Sequence, residues 1–227
     1  MSNFSVEDSI KFGWQTFKAY PWFFIGAAAI VLVVSWISSA ISPSAESFNS
    51  NFLLSLIGLL ASFAISTLVD MGFTSFSLKA SANVHSVKLE DIWHPKPFWK
   101  YFGAALLTGI VVMFGFILLI VPGVILALMF AFVKFIVIEH KLNPIQAMKE
   151  SARITKGHKW KLLVFVLLIC LINLISIGLL FVGVLINPIV GIALLFTALL
   201  VSIPVSALAM AHAYRTLARA STPIQSA

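Results

Sequence analysis

The feature that most limits this chain is uninterrupted apolar sequence. No charged residue occurs between Trp22 and Ile41, Phe52 and Val69, Tyr101 and Val133, or Leu162 and Ala211. About 20 apolar residues in a helix cross a hydrocarbon core of about 30 Å, and these runs hold six such lengths. No water reaches that core, so a spanning segment must satisfy its own backbone as a helix, or close into a barrel. The runs are continuous and do not alternate with period two, which argues against the barrel. Only 10% of the residues are charged and 60% are hydrophobic, far from the roughly 25% charged of soluble domains. The expected fold is an all-α membrane protein, a single six-helix transmembrane domain over residues 1–227.

Local signals divide the domain. Ser5 caps a short helix over 5–20 with Glu7 and Asp8 in its first turn and Lys18 near its end, matching the helix dipole. Val6, Ile10, Trp14 and Phe17 share one face, which predicts an interfacial helix lying along the membrane. The predicted spans are 22–41, 52–78, 100–120, 123–138, 160–181 and 189–211. The first exceeds the apolar region of a signal peptide and is expected to be retained. The second can continue to Ala82, and the last ends in a helical tail reaching Arg219, with Pro204 as a kink site. Pro122-Gly123 is expected to turn the chain between spans 3 and 4, and 183–188 between spans 5 and 6. Ser86 is expected to start a brief helix that Pro95 and Pro97 end. Asn143 as N-cap, Pro144 at the first helical position and Gly157 just past the end delimit a second surface helix over 143–157. Its apolar face reads as Ile145, Met148 and Ala152.

Every Lys and Arg falls in the N-terminal segment, in 79–100, in 134–161 or in the C-terminal tail. Cytoplasmic loops are the ones enriched in these residues, so both termini are expected in the cytoplasm and the spans form three hairpins. Trp14, Trp22, Trp93, Trp99 and Trp160 fall at the same predicted interface. Each hairpin follows an amphipathic lead-in ending in Lys and aromatic residues, as in Lys18 to Trp22, Trp99 to Tyr101 and Lys159-Trp160. Duplication explains that recurrence, and so does ordinary re-entry into a membrane.

The order Val121-Pro122-Gly123, an apolar run to Glu139, then Ala147, Ser151, Thr155, Gly157 and Trp160 resembles the YciC-like family of bacterial integral membrane proteins. It is similar too to the membrane domain attached to some glycerophosphoryl diester phosphodiesterases, and Gly13-Trp14 and Phe17-Lys18 match the lead-in to the first span. The resemblance implies six helices in a bacterial inner membrane. It carries no activity with it, and no phosphodiesterase domain is present.

No catalytic constellation is visible. His85, His94, His140, His158 and His212 lack paired ligand spacing and Cys170 stands alone, so neither metal nor cofactor is expected. Asp70 has no second intramembrane carboxylate to form a dyad. On span 2, Gly58, Ser62, Ser66, Asp70 and Thr74 recur every four residues and make one polar stripe. Lys149, Arg153, Lys156, Lys159 and Lys161 form a cluster suited to anionic lipid of the cytoplasmic leaflet, or to topology control alone. Nucleic acid is a poor partner for basic residues placed beside membrane spans. Asp70, about 27 Å along span 2, and Lys134, about 16 Å beyond Gly123, are the deepest charges. An unpaired charge at mid-membrane costs roughly 2.5–3.5 kcal/mol, so an ion pair between neighbouring spans 2 and 4 is expected. Snorkelling of Lys134 and hydration of Asp70 is the alternative. The expected function is a non-enzymatic scaffold or assembly partner working with other membrane proteins or with further copies of itself. The alternative, from a different class, is a transporter or lipid-handling protein with a polar cavity.

The topology has a direct check. Reporters fused after Lys96, Lys156 and Ala227 are expected to read cytoplasmic, and tags in 44–51 external; a periplasmic C-terminus would leave an odd number of spans.

Overall fold

The computed structural model describes residues 4–44, 51–83, 87 and 97–221. The expected helix at Ser86, with His85, Trp93, His94 and Lys96, lies outside the described residues. Among those described there are helices and no strands: α1 (Val6–Ala19), α2 (Pro21–Ile41), α3 (Phe52–Ala82), α4 (Phe98–Leu118), α5 (Ile120–Met129), α6 (Val133–His140), α7 (Pro144–Thr155), α8 (Lys159–Ile186) and α9 (Pro188–Ser221). Six helical stretches are long and apolar enough to cross a membrane: α2, α3, α4, α5 with α6, α8 and α9. The chain is an all-α, polytopic membrane protein.

Helix α9 is the hub. It packs on α8, α1, α3, α2 and α7. Gly13 makes the α1 contact possible, because a Cβ there would lie 2.7 Å from the Val205 carbonyl oxygen and 3.2 Å from the Ala209 Cβ. The packed face of α1 is therefore Ser9, Gly13, Thr16 and Phe17, while Val6 and Ile10 are half-buried and Trp14 is exposed. That corrects the expected face: small residues set it, since they let helix backbones approach closely. Arg215 of α9 reaches the end of α3, where its Nε donates to Ser81 Oγ at 2.8 Å and its Nη2 to the Leu78 carbonyl at 3.0 Å. Both bonds fall in the last turns of α3, where Ser81 Oγ itself donates to the Leu78 carbonyl at 2.7 Å.

Burial is uneven along the spans. In α3 every residue from Met71 to Leu78 is buried, whereas Phe52–Leu54 are exposed. The buried end holds the main core, with Tyr101, Phe132, Ile136, Phe165 and Tyr214. Elsewhere the helices present large apolar side chains outward, such as Ile117–Val121 on the α4–α5 hairpin and Leu185, Ile186 and Ile189 on α8–α9. So large an exposed apolar surface belongs in lipid.

Two turns differ from expectation. Helix α4 runs to Leu118 and α5 begins at Ile120, so the turn is Leu119 alone, in extended backbone. Pro122 and Gly123 lie in the first turn of α5, where a missing N–H costs nothing because no partner exists for it. Likewise α8 continues through Gly183 to Ile186, and Asn187 alone separates it from α9. Both hairpins share one geometry. The turn residue donates its N–H to a glycine carbonyl four positions back, Gly115 (3.1 Å) or Gly183 (2.9 Å), and its own carbonyl accepts from a glycine four positions on, Gly123 (3.2 Å) or Gly191 (3.0 Å). The paired glycines touch: a Cβ at Gly115 would lie 3.0 Å from the Gly123 Cα, and one at Gly183 only 2.5 Å from the Gly191 Cα. The α2–α3 hairpin lacks this device and uses the longer link after Ile41.

The remaining difference is in span 4, which is broken. Phe130–Phe132 are non-helical between α5 and α6. Phe132 N–H and the Met129 carbonyl lose their helical partners, and the buried Ser151 of α7 serves both: its Oγ accepts from Phe132 N at 3.3 Å and donates to Met129 O at 2.7 Å. A surface helix is thereby pinned into the interruption of a membrane span.

Glycine substitutions separate the hairpin contacts from plain helix propensity. Gly183→Val is expected to lower stability in detergent by about 1–3 kcal/mol through overpacking. Gly178→Ala, where an added Cβ meets nothing within 4 Å, should be neutral or stabilising by up to about 1 kcal/mol. Equal thermal shifts for the two would contradict the close approach at the turn.

Candidate functional site

The polar stripe of α3 divides into two halves. Towards the Phe52 end it serves packing on α2: Ser38 Oγ donates to the Ser62 carbonyl at 2.8 Å and lies 2.8 Å from Ser66 Oγ, and Gly58 faces the Ile41 carbonyl. Towards the other end, Asp70 and Thr74 turn to α4 and α6. Lys134 Nζ donates to Asp70 Oδ2 at 2.5 Å, so the two deep charges are brought together. Tyr101 donates its hydroxyl to the same Oδ2 at 2.8 Å and lies 3.2 Å from Thr74 Oγ1.

Tyr101 was not singled out by sequence reasoning for this role. Near the start of a span a tyrosine reads as an interfacial aromatic, and its neighbours Phe98 and Trp99 reinforce that impression. Here the ring is fully buried. A buried tyrosine hydroxyl needs a partner, and the carboxylate of Asp70 supplies it. The Asp70 carboxylate thus has one cationic and one neutral donor, held by three helices that meet at this level.

The pair borders a cavity of about 800 Å³ between α3, α4, the α5–α6 break and α9. Its walls are largely apolar, with Phe63, Phe73, Val112, Phe130, Val133 and Met210 among them. Four of the lining hydroxyls are turned to the backbone: Ser66 donates to Ser62 O, Thr67 to Phe63 O and Thr74 to Asp70 O at 2.7–2.8 Å, and Ser77 to Thr74 O at 3.0 Å. Ser206 Oγ accepts from Asn173 Nδ2 at 3.1 Å, and the buried Thr108 Oγ1 has no partner among the described residues. The two charges are different, with the Asp70 side chain 44% exposed and that of Lys134 45%. Span 4 brings Lys134 here through its break, since Val133 and Lys134 open the first turn of α6.

The second surface helix is framed by the residues expected of it. Pro144 is its first residue, Asn143 N–H donates to Gln146 Oε1 at 3.4 Å in a capping box, and Gly157 takes a left-handed φ of +86° beyond the C-cap Lys156. Its buried face is Ala147, Met148, Ser151, Ile154 and Thr155. Of the expected apolar face, Met148 turns to the bundle, while Ile145 is 62% exposed and Ala152 half-buried. Small residues again allow the close approach that the bond from Ser151 into span 4 requires.

The basic cluster is not uniform. Arg153 forms two bonds to Glu150, at 2.8 and 2.5 Å, and donates to the Ser221 carbonyl at 2.8 Å. These bonds hold the Glu150 carboxyl below its ordinary range. Lys161 Nζ reaches the Phe4 carbonyl at 3.4 Å. Lys149, Lys156 and Lys159 are exposed and make no polar bond among the described residues. Of the histidines, His212 stacks on Phe12 at 4.5 Å and approaches Ser9 Oγ at 3.3 Å, and His140 lies 3.8 Å from Glu139. Among the described residues no three His, Cys, Asp or Glu side chains are grouped for a metal ion. No protein-family model matches this chain, and neither a curated protein nor a solved structure does.

The site's energetics are open to a double-mutant cycle. Asp70→Asn and Lys134→Met are each expected to lower the melting temperature in detergent, because each leaves a charge without its partner. The double variant is expected to recover part of the loss, since removing both charges of a poorly solvated pair is often close to neutral. Strictly additive losses would show that the two side chains do not interact.

Proposed function

We propose that this protein is a non-enzymatic, lipid-handling membrane protein that holds one amphiphile in the cavity between α3, α4, α5–α6 and α9. One observation carries the reading. Almost half of each charged side chain faces an apolar-walled space instead of being enclosed by the neighbouring helices. Charged groups inside spans usually mark a substrate path or binding site. Apolar walls with a few convergent polar groups are the general form of a small-molecule pocket.

Of the two classes that the sequence leaves open, the scaffold has less support. The amphipathic helices α1 and α7, the natural docking surfaces of a scaffold, both direct their small-residue faces into the bundle. Exposed Lys149, Lys156 and Lys159 support contact with anionic lipid of the cytoplasmic leaflet, as a means of seating α7 and the start of α8 against the membrane.

The placement we propose is a bacterial inner membrane with both termini in the cytoplasm. Trp22, Trp99 and Trp160 each occupy the second residue of their helix, α2, α4 and α8, and are 84%, 79% and 81% exposed. A ring of exposed tryptophans at helix starts fits one headgroup layer. Lys18, Lys100 and Lys159 lie within a few residues of them. Membership of the YciC-like group belongs to the same proposal, supported by Ala147, Ser151 and Thr155 being the side chains through which α7 packs.

Native mass spectrometry of protein extracted in mild detergent tests the function. The wild type is expected to retain a lipid at one copy per chain. Gly109→Phe should lose it at an unchanged melting temperature, since Gly109 lines the cavity and an added Cβ there meets nothing within 4 Å. A bare wild-type protein, or lipid retained equally by the filled variant, would overturn the reading.

A further inference from the structure

We infer that the amphiphile held in this cavity is a zwitterionic phospholipid, its phosphate on Lys134 and its ammonium on Asp70. The inference rests on the lipid-handling reading above and deepens it by naming the headgroup. Charge balance is the basis. Asp70 and Lys134 are the charged residues among those lining the cavity, and they are of opposite sign. The hydroxyls of Ser66, Thr67, Thr74 and Ser77 are engaged with carbonyls of their own helix and that of Ser206 with Asn173, so the two charges carry the recognition by charge, with the unpartnered Thr108 hydroxyl as the one neutral group left beside them among the described residues.

Consider what each headgroup does to the pair. An anionic lipid that engages the Lys134 ammonium draws it from Asp70 and leaves a carboxylate without a cation among apolar walls. A cationic amphiphile on Asp70 leaves the ammonium in the same position. A zwitterion replaces the single Lys134–Asp70 contact by two contacts of opposite sign, and no charge is left over. The geometry permits the exchange. Asp70 keeps the Tyr101 hydroxyl on Oδ2 when the lysine moves. The flexible four-carbon stem of lysine lets its ammonium swing between partners. Phe63, Val112, Phe130 and Met210 then offer apolar surface for acyl chains.

The headgroup is read by titrating delipidated protein in detergent with three dioleoyl lipids and counting adducts by native mass spectrometry. The probes are a phosphatidylethanolamine, a phosphatidylglycerol and a trimethylammonium lipid. Wild type is expected to prefer the ethanolamine lipid by about tenfold over each of the others. Asp70→Asn should shift that preference to the phosphatidylglycerol, because only a cation remains, and Lys134→Met should shift it to the trimethylammonium lipid. Should either single variant fail to fold, the exchange Asp70→Lys with Lys134→Asp keeps the charges balanced and is expected to restore the preference for the zwitterion. Replacing Lys149, Lys156 and Lys159 together by Gln should leave the ranking unchanged, which distinguishes the cavity from surface attraction. Equal binding of the three lipids by the wild type, or one ranking shared by all variants, would overturn the zwitterion and leave the lipid-handling reading standing. No adduct with any lipid would overturn both.

Discussion

The demand that every backbone polar group find a partner without water governs this molecule. It makes the spans helical, and it explains where departures from the helix occur. The chain leaves the helix inside a predicted span at Phe130–Phe132, and there Ser151 of α7 takes up both the stranded N–H and the stranded carbonyl. Non-helical backbone at membrane depth is tolerated where protein surrounds it. The same bond that satisfies the backbone also fixes the surface helix and sets the direction from which Lys134 enters the bundle. One hydroxyl therefore ties together three features that are far apart in sequence.

The deep charges follow a related rule. Asp70 and Lys134 are each held by the other, and the carboxylate gains Tyr101 as a second donor. Charges paired in low dielectric cost more to separate than surface pairs, which are worth about 1 kcal/mol or less. Such a pair contributes little to stability in net terms, because desolvation offsets its attraction. It is a suitable one for recognising a ligand that restores the balance it disturbs.

Much of this was legible because lipid restricts the options. Charge-free runs gave the six spans, and Asn143, Pro144 and Gly157 marked the ends of α7 through local chemistry. Asp70 and Lys134 were visible as partners because few other charges lay within reach. What stayed hidden depended on tertiary contacts. Met129-Phe130-Ala131-Phe132 contains neither glycine nor proline, so nothing local announces a break that Ser151 creates from outside the span. The faces of α1 and α7 were assigned to their larger apolar residues, although Gly13, Ala147 and Ser151 decide the packing. In a membrane bundle small residues mark the interface, and large ones such as Ile145 are free to meet lipid. The chain turns at Leu119, ahead of the expected Pro122-Gly123, and at Asn187, within the expected 183–188, because Gly123 and Gly183 act by close approach within helices and not by bending the chain.

The single-residue turns at Leu119 and Asn187 have a further consequence. A hairpin closed by one residue exposes almost no hydrophilic chain, and the residues flanking these turns are Leu118 and Ile120 in one case and Ile186 and Pro188 in the other. Two of the three hairpin tips therefore offer an antibody, a protease or a soluble protein almost nothing polar to grip, the Asn187 side chain being the exception. Anything that consults this protein must come through the bilayer itself or from the end where its amphipathic helices, tryptophans and lysines are gathered.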